Sequence, residues 1–260
     1  MLSARSGLWV FLALAILIAI VTLLLPRMDL PPSYHQFADQ RGWLGIPNFG
    51  DVSSNLAFLV AGLCGLAFLF REPSSHQFVD PRELWPYTTF FLGLVLTAVG
   101  SAYYHCAPSD ARLVWDRLPM TIVFMPLVTA LIVERVDIKL GLCLLPLLTA
   151  LGIVSVVYWH ETVQRGAGDL RFYGAVQVYA VLALLAALLL PARYTRGSDL
   201  LVVAAFYAFA KISEVADRQI FSLGHIVSGH TLKHLAAAAA GFWILRMLQG
   251  RQPVQIQLAR

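Results

Sequence analysis

GSAYYHCAPSDARLVWDRLPM, residues 100–120, lies where one apolar segment ends and the next begins, and its reading decides what fold the chain can adopt. The residues before it, from about Pro86, and those after it, up to about Val133, each reach the roughly 20 apolar residues that a helix needs to cross a bilayer. Ser101 and His105 are four apart, so on a helix they share a face, one turn from each other. Asp116 opens the following apolar segment after a short loop. A hydroxyl, an imidazole and a carboxylate are thereby placed close to a single membrane surface.

Composition agrees with a membrane-embedded chain. The 260 residues are 58% hydrophobic and 13% charged, against about 45–50% and about 25% in soluble domains. Mean hydropathy is +0.70. The predicted class is an all-α integral membrane protein, with no room for a sizeable soluble domain. The formal charge of +4 fits loop arginines facing lipid headgroups and excludes a nucleic-acid surface. Cys64 and Cys143 fall in apolar runs and read as small core residues. Cys106 follows His105 without paired spacing, so no disulfide framework is implied.

In chain order, residues 1–26 read as an uncleaved N-terminal span, because no small-residue cleavage site precedes Pro26. Residues 27–50 are too rich in Pro and Gly to cross and form a polar, aromatic surface segment. Residues 51–250 supply seven further spans, beginning near Asp51, Pro86, Asp116, Leu140, Phe172, Leu200 and Val227, and residues 251–260 a basic tail. Polar residues at the head of the second span, Asp51, Ser53, Ser54 and Asn55, must face protein or water. Eight spans place both termini on one side. Ten Lys and Arg flank that side and seven the other, which assigns both termini to the cytoplasm. In this threading Asp51, His105, Asp116, His160, Asp217 and His230 share the opposite face. The terminal side is left with ordinary charged turns.

His230 and His234 repeat the i, i+4 spacing near the far end of the chain. Two such histidines can ligate one metal from one helix face, and His105 would supply a third imidazole. Three imidazoles hold Zn²⁺ with a fourth position left for water, whose pKa zinc lowers towards about 7. Asp116 then suits proton transfer, and Ser101 suits donation to a developing oxyanion. Plainer roles also fit: Asp116 as a helix cap, Ser101 as a small packing residue, each histidine as an interfacial group.

These residues resemble the alkaline ceramidase family of membrane hydrolases. The similarity is carried by GSAYYH, by Asp116 in WDRLPM eleven residues after His105, by SGHTLKHL, and by Ser54 and Asn55 in NFGDVSSNLAFL. It spans about residues 34–247. The resemblance implies a seven-helix transmembrane bundle, here preceded by one extra N-terminal transmembrane helix. It implies zinc held by His105, His230 and His234, with Asp116 as proton-transfer residue and Ser101 as oxyanion helper. The implied reaction cleaves the N-acyl amide of ceramide or a ceramide-like lipid to a long-chain base and a fatty acid. The wider superfamily includes the adiponectin and progestin receptors. The stretch YHQFADQRGWLGIPNFGD carries only Asp39 and Asp51 as carboxylates, with Asn48 where a glutamate is expected, which argues against the calcium site of animal members. Its form is similar to the bacterial branch, and so implies a bacterial inner membrane.

Other polar residues in apolar context are Lys211, Glu214 and Asp217 in the seventh span, and His160 with Glu161 after the fifth. Lys211 and Glu214, or Glu214 and Arg218, read as structural ion pairs, or else as headgroup contacts or support for Asp116. His160 and Glu161 suit the headgroup or an entrance. His35, His76 and His225 read as interfacial, and the six tryptophans mostly as an aromatic belt. Three functions therefore compete. The first is a zinc hydrolase acting on a membrane lipid, with no obligatory protein partner. The second is a zinc-containing lipid sensor of receptor type without hydrolysis. The third is a proton-coupled transporter using Lys211, Glu214 and Asp217, which the absence of an internal repeat disfavours.

Overall fold

The computed structural model describes residues 4–71 and 77–254, and among these every regular element is helical. His76, part of the loop from 72 to 76, and the tail from 255 lie outside the described residues. The α-helices are α1 (Ala4–Leu24), α2 (Phe49–Ser53), α3 (Leu56–Leu69), α4 (Leu84–Cys106), α5 (Asp110–Arg135), α6 (Ile138–Gln164), α7 (Arg171–Ala187), α8 (Asp199–Val215), α9 (Asp217–Ser222) and α10 (Gly229–Gly250). Five segments are long and apolar enough to cross a membrane: α1, α2 with α3, α4 with its leading turn, α5 and α6. This is the helix set of a membrane protein. The remaining long helices differ for chemical reasons. α7 and α8 have 17 residues each, α8 carries Lys211 and Glu214, and α10 carries His230, Lys233 and His234.

Polar residues in the connections set the helix starts. Ser109 accepts the Arg112 amide at the head of α5, Asp137 that of Leu140 at α6, and Ser228 that of Thr231 at α10. The first of these corrects an expectation. α5 begins six residues before Asp116, so Asp116 is an interior helix residue rather than a cap or an opening residue. α6 likewise runs through His160 and Glu161 to Gln164, where the sequence suggested a loop.

Six helices close into a ring: α3 packs on α4, α4 on α5, α5 on α7, α7 on α8, α8 on α10, and α10 back on α3. α6 braces α5 and α7 from outside, and α1 lies mainly against α7. Close approach needs residues without a side chain. A Cβ on Gly93 of α4 would stand 2.8 Å from the Ile122 carbonyl of α5, so that crossing admits only glycine. α1 is the most loosely embedded helix, seated by Phe11 and tied at its end by Arg171, whose Nη1 donates to the Leu25 carbonyl at 2.5 Å. Arg171 also pairs with Asp169 at 2.7 Å, and this hydrogen-bonded partner holds the Asp169 carboxyl down at about 2.

The end of the ring away from His105 holds more than charged turns. Glu83, Glu134 and Arg251 are buried there. Arg251 pairs with Glu134 and lies over the rings of Tyr194 (4.0 Å), Phe78 (4.4 Å) and Tyr87 (5.3 Å), while Tyr194 donates to Glu83. Arg251 therefore belongs to the folded core, not to a basic tail. Two smaller readings also change. Cys64 and Cys143 face outward from the bundle. Trp159 is fully buried, unlike Trp9, Trp43, Trp85 and Trp115, which stay exposed as a belt requires.

Candidate metal centre and its cavity

His105 stands in the last turn of α4, and His230 and His234 in the first two turns of α10. All three are buried, and one ring nitrogen from each lies within 4.8 Å of the others. The two motifs, 125 residues apart in sequence, thus meet. His105 Nε2 and His230 Nε2 are 3.3 Å apart. Two nitrogens each about 2.0–2.1 Å from a tetrahedral zinc would stand about 3.3–3.4 Å apart, so this separation suits ligation of one ion. Phe37 covers the cluster, its ring 4.6 Å from that of His105 and 4.5 Å from that of His230.

The surroundings orient the rings. Ser54 donates its only hydroxyl hydrogen to the Asp51 carbonyl at 3.0 Å, so its oxygen accepts from His234 Nδ1 at 2.8 Å. That places the hydrogen of His234 on Nδ1 and frees the Nε2 lone pair for a ligand. Asp217 Oδ1 accepts the His230 backbone amide at 2.8 Å, and its Oδ2 accepts that of Ala38 at 2.9 Å. Asp51 Oδ1 accepts from the Thr231 hydroxyl at 2.8 Å and from that of Ser228 at 3.1 Å. Gly229 makes the approach possible, because a Cβ there would sit 2.6 Å from Asp217 Cα. Asn48 adopts the left-handed conformation, φ 46°, which Asn tolerates better than most residues. Its Nδ2 donates to the His105 carbonyl at 2.8 Å, satisfying a helix-end acceptor. Asp39 spends both oxygens on Arg41, at 2.8 and 2.7 Å, and this partner holds its carboxyl below the usual range.

A cavity of about 180 Å³, far more than one water needs, opens inside the ring beside His234. Its walls are mostly apolar, with Phe90, Leu94, Phe124, Leu127, Leu184 and Ile244 among them. Ser101, Asp116, Arg117, Lys211, Glu214, Lys233 and His234 belong to its polar part, beside Tyr34, Thr97, Gln177 and Tyr207. Ser101 and Asp116 are both buried there.

Comparison with protein-family models and with curated proteins finds no match to this chain.

The site therefore rests on its own geometry. A buried trio of imidazoles that could hold a metal ion is brought together, and Ser101, Asp116, Lys211 and Glu214 line the adjoining cavity. Asp217 holds backbone amides instead. His160 and Glu161 do not line the cavity, and Glu161 faces Arg165 at 3.8 Å. Glu214 is shared between Lys211 and Lys233, the latter at 3.1 Å, so its partner beyond Lys211 is Lys233 rather than Arg218. Sequence reasoning missed Lys233, Arg117 and the role of Ser54 on His234. Lys233 was visible between the two histidines of HTLKH, and Arg117 directly after Asp116.

Ser54→Ala removes the acceptor that sets the His234 tautomer. Metal affinity is expected to fall about 10–100-fold, as other outer hydrogen-bond partners of metal-bound histidines show. Titration against a competing chelator reads this directly, and unchanged affinity would remove Ser54 from the account.

Proposed function

We propose that this chain is a zinc-dependent intramembrane amidohydrolase. It cleaves the N-acyl amide bond of ceramide or a ceramide-like lipid to a long-chain base and a fatty acid. The observation that carries this reading is the convergence of three buried imidazoles beside an apolar cavity that Asp116 and Ser101 also line. A structural zinc site is ordinarily closed by four protein ligands, whereas three leave a position open for chemistry.

His105, His230 and His234 would hold the zinc, which when bound would supply Lewis acidity to water and to a carbonyl oxygen. The acyl chain lies along the apolar wall, which orients the amide at the polar end and excludes bulk water. Asp116 takes a proton from the attacking water and passes it to the departing nitrogen. Ser101 donates to the carbonyl oxygen as that oxygen gains charge. The water oxygen bonds to the acyl carbon as the C–N bond breaks, and the products are an amine and a carboxylic acid.

In this reading the segment α2–α3, α4, α5, α6, α7, the segment α8–α9 and α10 are the seven helices of the core, with α1 added before them. The protein sits in a bacterial inner membrane with both termini cytoplasmic and the site near the opposite face. Its partner is a membrane lipid.

The test is hydrolysis of N-oleoyl ceramide by the purified chain in H₂¹⁸O, with mass spectrometry of the released oleate. One ¹⁸O per oleate is expected, with turnover stopped by a zinc chelator and restored by zinc. Zinc retention without release from ceramide or from other N-acyl lipids would favour the sensor reading.

A further inference from the structure

The polar end of the cavity holds more positive than negative charge. Arg117, Lys211 and Lys233 line it against Asp116 and Glu214. Glu214 gives one oxygen to Lys211 and the other to Lys233, so a single carboxylate serves two ammonium groups. Arg117 is only 4% exposed, yet no carboxylate lies within 4 Å of it among the described residues. It is held instead by ring faces: its Cζ is 4.3 Å from the centroid of Trp159, 5.0 Å from Tyr173 and 5.3 Å from Tyr34. Its Nη1 has no hydrogen-bond partner.

A donor left unpaired on a buried cation is costly, even where ring faces hold the rest of the guanidinium. The imidazoles add no negative charge, and the carboxylates beside them, Asp51 and Asp217, do not line the cavity and are taken up by hydroxyl and backbone donors. Stacking fixes the guanidinium plane, so a planar or tetrahedral anion would meet a fork already oriented for it. A neutral headgroup such as a diol leaves the Arg117 donor and the surplus lysine charge unanswered.

We infer that the lipid held in this cavity carries an anionic group, a carboxylate or a phosphate, on the amine side of the N-acyl bond, received by Arg117 together with Lys233 and Lys211. The inference rests on the hydrolase reading and narrows its substrate class from ceramide-like lipids in general to anionic N-acyl lipids. The acyl chain occupies the apolar wall, and the scissile carbonyl lies by Ser101 and Asp116. The anion falls close by, because Arg117 follows Asp116 in the chain and lines the same cavity.

Binding is measured with uncleavable probes, so that affinity is separated from turnover. The zinc-loaded chain in nanodiscs of neutral lipid is titrated with hexadecylsulfonyl-glycine, hexadecylsulfonyl-ethanolamine phosphate, their neutral counterpart hexadecylsulfonyl-ethanolamine, and palmitate. At least one anionic sulfonamide is expected to bind about 10–100-fold tighter than the neutral one, the size of a charged hydrogen bond in a dry site. Which of the two wins tells carboxylate from phosphate. Arg117→Gln and, separately, Lys233→Gln are expected to shrink that ratio, with the loss falling on the anionic probes. The second variant keeps the test open if the first fails to fold. Equal binding of anionic and neutral probes to wild type would overturn the inference, as would a preference that survives both substitutions. Tight palmitate binding with no preference among the sulfonamides would also overturn it, assigning the cations to the released acid. Failure of the hydrolase reading is distinct: it shows as absent zinc or absent turnover, whatever the probe preference.

Discussion

On the hydrolase reading, His234→Ala is expected to abolish zinc binding and to lower lipid-amide hydrolysis at least about 1,000-fold, the effect of losing several kcal/mol of metal assistance. His234 is the histidine that links the metal trio to the cavity, since it lines the cavity and its Nδ1 is already committed to Ser54. Alanine removes one of three ligands and leaves two imidazoles, too few for a stable site of this kind. The lost ring also leaves a gap beside Phe58, whose ring centroid is 6.0 Å from that of His234. A melting curve beside the zinc assay therefore separates loss of metal from loss of fold. Retention of a full equivalent of zinc by a folded variant would show that the ion is held elsewhere.

Asp116→Asn is expected to behave in the opposite way with respect to metal. Zinc stays at one equivalent, because Asp116 stands outside the trio that could hold the ion. Hydrolysis falls by about 10²–10⁴, the usual contribution of a positioned proton-transfer group. Asparagine keeps the shape, so the change removes proton capacity and one negative charge. The buried carboxylate also balances cavity cations, so tighter binding of an anionic probe by Asp116→Asn is an expected side effect. Turnover within about twofold of wild type would take Asp116 out of the chemistry. Together the two substitutions separate a hydrolase from a sensor that carries zinc: a sensor loses its metal in the first and is indifferent to the second.

Much of the helix pattern was legible because lipid leaves a chain few choices. Apolar runs of about 20 residues read as helices, and five segments are long and apolar enough to cross, whereas α7 and α8 stop at 17 residues; α4 and α6 run beyond their expected ends by a few residues. The trio was legible because i, i+4 spacing is a local property of a helix, visible without knowing what α10 packs against. What stayed hidden depends on distant contacts. Arg251 finds Glu134 across 117 residues, so its burial cannot be read from a basic C-terminus. Arg117 and Trp159 each look ordinary alone and become informative only when stacked. Asp116 was misplaced on its helix because the apolar signal starts there, while the helix itself starts where Ser109 can cap it. Lys233 carries no local signal of its role, because it meets Glu214 only across the contact between α8 and α10. Several departures thus fall where charge is answered through space.

The most direct measurement is the metal itself: zinc per chain by inductively coupled plasma mass spectrometry, with zinc K-edge absorption, on wild-type protein purified without chelators and with zinc supplied. The expected result is about one zinc per chain, three imidazole nitrogens at about 2.0–2.1 Å and one further light ligand. No bound zinc, or zinc in a sulfur-rich shell, would contradict it.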